Sequence, residues 1–379
     1  MRIVVAPNAF KGSLTAIEAS EAMRRGIKKV LPYSVVDEIP IADGGDGTVQ
    51  ALLKAIGGRF LKKRVTGPLG KQILAEFGIL SDGKTAVIEM AAASGLAMLH
   101  PGELNPLVTT TYGTGELIKA ALDEGCSSII LGIGGSATSE GGINMAQALG
   151  VRFKDVSGNE VGWGAQVLKD IRSIDMSGLD PRLRETEILV ACDVDNPLCG
   201  LEGAAHVYGP QKGATPEMIS DIDVGLAHLA EIINSDLGVD VRTFPGSGAS
   251  GGLGAGLVAF FGAKLNSGSK IILEACNLEE RIRHAQLVFT GEGELNLQTL
   301  HGKAPMAVIG VASKVGVPVI AVTGSIGEGA EALYKNGLDA MVCTLPKPIT
   351  LQKAMQSAEV LLEEAMERVM RLIVLCRKI

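Results

Sequence analysis

Short apolar runs that end in glycine-rich turns and lead into helix-like segments recur along this chain, and that texture confines it to an α/β architecture. The clearest case is Ser128-Ile-Ile-Leu131, which runs into Gly132-Ile-Gly-Gly-Ser-Ala-Thr-Ser-Glu-Gly-Gly142 and then into Ile143-Asn-Met-Ala-Gln-Ala-Leu149: strand, turn, helix. The glycines let the backbone present N–H groups to an anion at a helix N-terminus, with phosphate as the natural guest. The alternative is a tight turn that only lets strand and helix pack closely.

Recurrence favours the first reading. Ala42-Asp-Gly-Gly-Asp-Gly-Thr48 follows Val36-Asp-Glu-Ile-Pro-Ile41, and Thr290-Gly-Glu-Gly293 follows Ala285-Gln-Leu-Val-Phe289. Gly246-Ser-Gly-Ala-Ser-Gly-Gly-Leu-Gly-Ala-Gly256 is longer, and Gly324-Ser325 ends Val317-Pro-Val-Ile-Ala-Val-Thr323. Ligands of open α/β sheets gather at the carboxyl ends of strands, so such turns are expected to converge on one crevice suited to phosphoryl chemistry.

The pattern predicts strand, helix, strand, helix over Ile3–Ala6, Ala16–Val30, Val36–Ala42 and Gly47–Ile56, and it returns near the end with Leu287–Thr290, Ala304–Lys314, Val317–Thr323, Ala330–Lys335 and Met341–Thr344. A single amphipathic helix is expected from Leu351 to about Leu375, its charged residues forming a solvated face. Between these ends, Phe60–Val65, Ile73–Ile79 and Thr85–Met90, separated by Gly67-Pro68-Leu69-Gly70 and Asp82-Gly83, carry hairpin signals. The layout expected is a parallel-sheet α/β domain over residues 1–60 and 285–379, interrupted by an inserted mixed α/β domain over 61–284, with the active-site cleft between them.

Composition narrows the function. A chain of 379 residues with 46% hydrophobic content supports more than one core, and its 49 glycines sit in separated turns without a collagen period. Aromatic residues at 3% and a net charge of −7 argue against a nucleic-acid partner. Ala249–Ala263 is uncharged but short of the roughly 20 residues that span a bilayer, so it is expected to be a buried glycine loop plus helix, with no membrane partner. Arg2-Ile-Val-Val-Ala6 enters a strand without a secretory apolar region, and the six cysteines are dispersed without CxxC spacing; a cytoplasmic protein with reduced thiols is expected.

Asp43 and Asp46, among glycines just after a strand, suit Mg²⁺, which takes one or two carboxylates plus waters and phosphates; the alternative for Asp46 is a helix N-cap. Asp193 and Asp195 follow another strand and could bind metal, act as base or form an Asx-turn before Pro197. Lys11, after the first strand, could hold a phosphate or carboxylate as a point charge or be solvated; Lys212 and Lys303 are similar. Glu292 is an acidic candidate between glycines, or a helix-entry carboxylate. The five histidines form no metal-binding pair, and neither a nucleophile elbow with a matched histidine nor a Walker lysine is present.

Pro7-Asn-Ala-Phe-Lys-Gly-Ser-Leu14, Ala42-Asp-Gly-Gly-Asp-Gly-Thr48, Gly134-Gly-Ser-Ala-Thr138, Asp195-Asn-Pro-Leu198, Gly209-Pro-Gln-Lys-Gly-Ala-Thr215, Gly248–Gly256 and Thr290-Gly-Glu-Gly293 through Gly302-Lys303 together resemble the type I glycerate kinases of bacteria, in order over nearly the whole chain. The resemblance implies ATP-dependent phosphorylation of D-glycerate, usually at the 2-hydroxyl. It also implies a flavodoxin-like domain joined to one of restriction-enzyme-like fold. Two departures stand out. Many members have Pro-Asp-Ser-Phe-Lys-Glu-Ser where this chain has Asn8, Ala9 and Gly12, and many carry Asp where this chain has Asn296, which cannot supply that charge.

Phosphoryl transfer needs alignment and charge neutralisation more than covalent help. The expected roles are Asp43 and Asp46 for metal or substrate, Lys11 for an anion, and Gly44, Gly45, Gly134, Gly135, Ser136 and Thr138 for phosphate or substrate. Asp193 takes the attacking hydroxyl's proton, Lys212 or Lys303 holds the substrate carboxylate, and Glu292 lines the substrate site. The expected cofactors are ATP and Mg²⁺; the sequence leaves monomer and homodimer open. A nicotinamide oxidoreductase would want G-x-G-x-x-G after the first strand, where only Gly12 is offered. A kinase for another small hydroxy acid and a non-catalytic sugar-acid binding protein are the remaining alternatives.

Overall fold

The structure, a computed structural model, describes every residue except Asp43, Asp46, 301–303 and 377–379. By their contacts the residues divide into two compact units: Met1–Asp43, Gln50–Gly57 and Ser269–Ile379 form the first, Gly44–Val49 and Gly58–Gly268 the second.

The first unit is built on five strands, Arg2–Pro7, Val35–Glu38, Leu287–Gly291, Val319–Thr323 and Ala340–Cys343. Taken in chain order they lie side by side as two-one-three-four-five, every pair parallel, which is the flavodoxin-like arrangement. Ile3, Val4, Val5 and Ala6 are all fully buried, as expected of a strand covered on both faces. The second strand stops at Glu38, short of the expected Ala42, because Pro40 has no N–H to give the ladder. The chain keeps its course all the same: the N–H groups of Ile39 and Ile41 donate to Val5 O and Pro7 O at 2.8 and 2.9 Å.

The helix Ala16–Val30 starts at a capping box in which Thr15 and Glu18 bond each other's backbone N–H. Its apolar face, with Ala19, Met23 and Ile27, meets Leu362, Met366 and Met370 of the helix Ala358–Cys376. That last helix is not the single rod expected from Leu351: a short helix Leu351–Gln356 ends at Ser357 before it begins. Nor is its charged face simply solvated, since Glu359 and Glu363 pair with Arg25 at 2.6 Å and Glu363 also pairs with Lys29 at 2.6 Å. Gly26 makes the crossing this close; a Cβ there would stand 2.4 Å from Glu363 O and 2.5 Å from Met366 Cβ. Gly26→Val should therefore lower unfolding free energy by about 1–3 kcal/mol through overpacking, read as a lower denaturant midpoint at unchanged slope.

The second unit carries a six-stranded mixed sheet whose strands follow chain order: Gly58–Thr66, Gln72–Leu80, Thr85–Glu89, Ser128–Gly132, Glu187–Ala191 and Lys264–Asn266. The first three form an antiparallel meander, and from Thr85 onward neighbours are parallel. The helix Tyr112–Asp123 covers this sheet through Leu117, Ile118 and Ala121. A second core gathers around the helix Pro216–Leu237, capped by Thr215 and Gly238, with Ile222, Leu226, Leu229 and Ile233 buried. Ala249–Phe261 is helical, except that Ser250, Gly251 and Gly252 take left-handed backbone angles. Among the described residues no helix is long and apolar enough to cross a membrane.

Candidate active site

The parallel strands of the second unit end level with one another: Glu89 pairs with Gly132, and Gly132 with Ala191. The loops that leave these strands are therefore delivered to one sheet edge. Gly44 packs onto that edge so tightly that neither it nor Gly132 has room for a side chain. A Cβ on Gly132 would lie 2.5 Å from Gly44 O, and one on Gly44 would lie 2.4 Å from Ala191 Cβ. Gly134 Cα faces Gly45, whose Cα would be 3.1 Å from an added Cβ. Gly44 and Gly45 thus meet the turns that follow Gly132 and Ala191 at the carboxyl end of the sheet, where an open α/β sheet takes its ligands.

Gly135 is exposed at the tip of its turn, while Ser136 and Thr138 are buried behind it. Lys212, 1% exposed, comes up beneath: its Nζ donates to Ser136 Oγ at 2.9 Å and to Thr138 O at 2.5 Å. Burial pushes this ammonium down to about 7, and the Glu140 carboxylate pulls the other way. Glu140 is itself fully buried, accepting from the Thr111 N–H at 3.0 Å and from the Thr111 hydroxyl. Burial holds it above the usual carboxylate range against those bonds. The Ser250 hydroxyl donates to Ile133 O, tying the Gly246–Gly256 turn to the same loop. Lys212 thus sits as an internal strut of the turn, a placement that its surface-like sequence context does not show.

Asp193 is exposed just past Ala191, with its Oδ1 accepting from Gly268 N at 3.0 Å. Glu89 accepts from Val49 N at 2.8 Å. Sequence reasoning missed Glu89 and Glu140. The first was legible as the carboxylate that closes an apolar strand, while the second drew no notice in a turn read for its glycines.

In the first unit the chain leaves strand one toward strand two and leaves strand three toward strand four, which makes the gap between strands one and three the topological switch point. Lys11, exposed, and Glu292, 7% exposed, belong to the two loops that leave it. These loops touch: a Cβ on Gly293 would lie 3.5 Å from Lys11 N, and Asn8 N donates to Gly291 O at 2.8 Å. Thr299 Oγ1 donates to Glu292 Oε1 at 2.8 Å. Asn296 is used locally, its Oδ1 accepting from Gln298 N at 2.9 Å as an Asx cap of the 297–300 turn.

Asp43, Asp46 and Lys303 lie outside the described residues. Among the described residues no group of three or more His, Cys, Asp or Glu could hold a metal ion by itself.

The family model for the glycerate kinase family matches residues 3–374. A protein named glycerate kinase from Halalkalibacterium halodurans is 50% identical over 363 residues, covering 96% of each chain. One named glycerate 2-kinase from Escherichia coli K12 is 49% identical over 358 residues, 94% of each. A crystal structure provisionally described as glycerate kinase 2 from Salmonella typhimurium LT2 superposes with a TM-score of 0.91 at 45% identity, covering 100% of both chains.

Proposed function

The chain belongs to the glycerate kinase family, and from that premise we propose that it transfers the terminal phosphoryl group of ATP to the 2-hydroxyl of D-glycerate, giving 2-phosphoglycerate and ADP in the cytoplasm. The observation that carries this is 49–50% identity over 94–96% of the chain with proteins named glycerate kinase and glycerate 2-kinase. The exposed Gly135 turn at the carboxyl edge of the sheet supports it, because ligands of open α/β sheets gather there.

The exposed Gly135 turn, with Gly134, cradles phosphate oxygens, helped by Gly44 and Gly45, while buried Ser136 and Thr138 support it from behind. Asp193, exposed at the strand end, takes the proton as the glycerate oxygen bonds to phosphorus and the bridging oxygen leaves with ADP. Lys11 supplies a point charge for an anion at the switch point, beside Glu292, and Lys303 is assigned the glycerate carboxylate. Lys212 holds the phosphate turn from within. Asp43 and Asp46 would hold Mg²⁺, which when bound offsets phosphate charge.

Coupled ADP release across a panel of hydroxy acids, with and without Mg²⁺, tests the reading. D-glycerate should give the highest kcat/KM, with turnover dependent on the metal and the product assigned as the 2-phosphate by NMR. A higher kcat/KM for another hydroxy acid would replace the substrate, and a 3-phosphate product would replace the position.

A further inference from the structure

The same turn forms one side of a cavity of about 460 Å³. Ala91, Ala92, Leu96 and Ala97 supply its side chains, Gly95 and Gly135 its bare backbone, and Glu89 is the charged residue among the described lining. Its wall and the turn are one hydrogen-bonded piece. Leu96 N donates to Gly135 O at 2.8 Å, Ala137 N donates to Ser94 O at 2.9 Å, and Gly95 and Ser136 form a β-bridge.

Neither size nor lining suits the acid substrate. A pocket within the range of about 300–1,000 Å³ takes a ligand much larger than a three-carbon acid. Glycerate, polar at every carbon, would gain nothing from walls of alanine and leucine, while a planar heterocycle would lie flat on them and leave water. We propose that the cavity takes the adenosine of ATP, with the base on Ala91, Ala92, Leu96 and Ala97 and the triphosphate running onto the turn at Gly134 and Gly135. This rests on the kinase reading and adds where its nucleotide sits.

The test compares ATP with inorganic tripolyphosphate, which keeps the phosphates and lacks the nucleoside, in calorimetric titrations of the whole protein. Wild type should bind ATP more tightly than tripolyphosphate. Ala97→Phe, at an exposed lining position, should weaken ATP by about tenfold while tripolyphosphate and the KM for D-glycerate stay put. Leu96→Ala, which enlarges the cavity, should admit an N6-benzyl ATP that wild type rejects, and it carries the test alone if the phenylalanine variant fails to fold. An ATP-to-tripolyphosphate ratio unchanged in A97F, or an N6-benzyl ATP still rejected by L96A, overturns the assignment. A protein that binds ATP in this way but does not phosphorylate glycerate would sink the kinase reading and leave the cavity standing.

Discussion

Asp43→Asn should leave the fold intact and lower kcat with D-glycerate by roughly two to three orders of magnitude. The substitution keeps the side chain's volume and removes one negative charge. Its chain neighbour Gly44 packs on Gly132 and Ala191, contacts the substitution does not touch. Asparagine still offers an oxygen, but a neutral one, and a hard divalent cation among phosphates needs the anion. Two further signs separate this role from a structural one. The Mg²⁺ concentration for half-maximal rate should rise in the variant, and excess metal should recover part of the turnover. The denaturation midpoint should hold or rise, because Asp46 lies three residues on and removing a like charge relieves repulsion. Near-normal kcat at saturating substrates would remove Asp43 from the site.

Much of this molecule could be read from local pattern. The strands of the parallel sheet announce themselves as short β-branched runs, and the capping box at Thr15 and Glu18 marks a helix start that the spacing alone also gives. The hairpin signals at Gly67–Gly70 and Asp82-Gly83 correspond to the antiparallel meander Gly58–Glu89. Pattern fails where the deciding contact is distant. Lys212 lies 76 residues from Ser136, and no local feature of Gly-Pro-Gln-Lys-Gly shows that its ammonium ends up under another turn. The charged residues of the last helix looked solvated because Arg25 and Lys29 reach them from the other end of the chain. The longest helix among the described residues, Pro216–Leu237, carries its signals locally, with Thr215-Pro216 at the start and Gly238 at the end.

Lys212→Met is expected to lower kcat/KM by about 100-fold with little loss of stability at pH 6, because the two effects of removing a buried ammonium oppose each other. Methionine strips Ser136 Oγ and Thr138 O of their donor, at about 1–3 kcal/mol for each buried group left unpaired. It also ends the burial of a charge whose titration is pushed from 10.5 down to about 7, a difference worth roughly 5 kcal/mol when the ammonium is fully protonated. The pH dependence comes from the same shift. Between about 7 and 10.5 the unfolded chain binds the proton that the folded chain has released, so this lysine raises stability as pH climbs through that window, and its penalty is complete below it. Wild type should therefore gain on the methionine variant from pH 6 to pH 9 in denaturant titrations, with Glu140, the acid facing Lys212, present in both. Turnover has no such compensation: the turn that holds phosphate loses its internal strut, and a displacement of about 1 Å in a reacting group is enough for a loss of that size. A variant with kcat/KM within twofold of wild type would show that the turn keeps its shape without Lys212, and a stability gap that does not move with pH would show that this ammonium does not titrate where its burial places it.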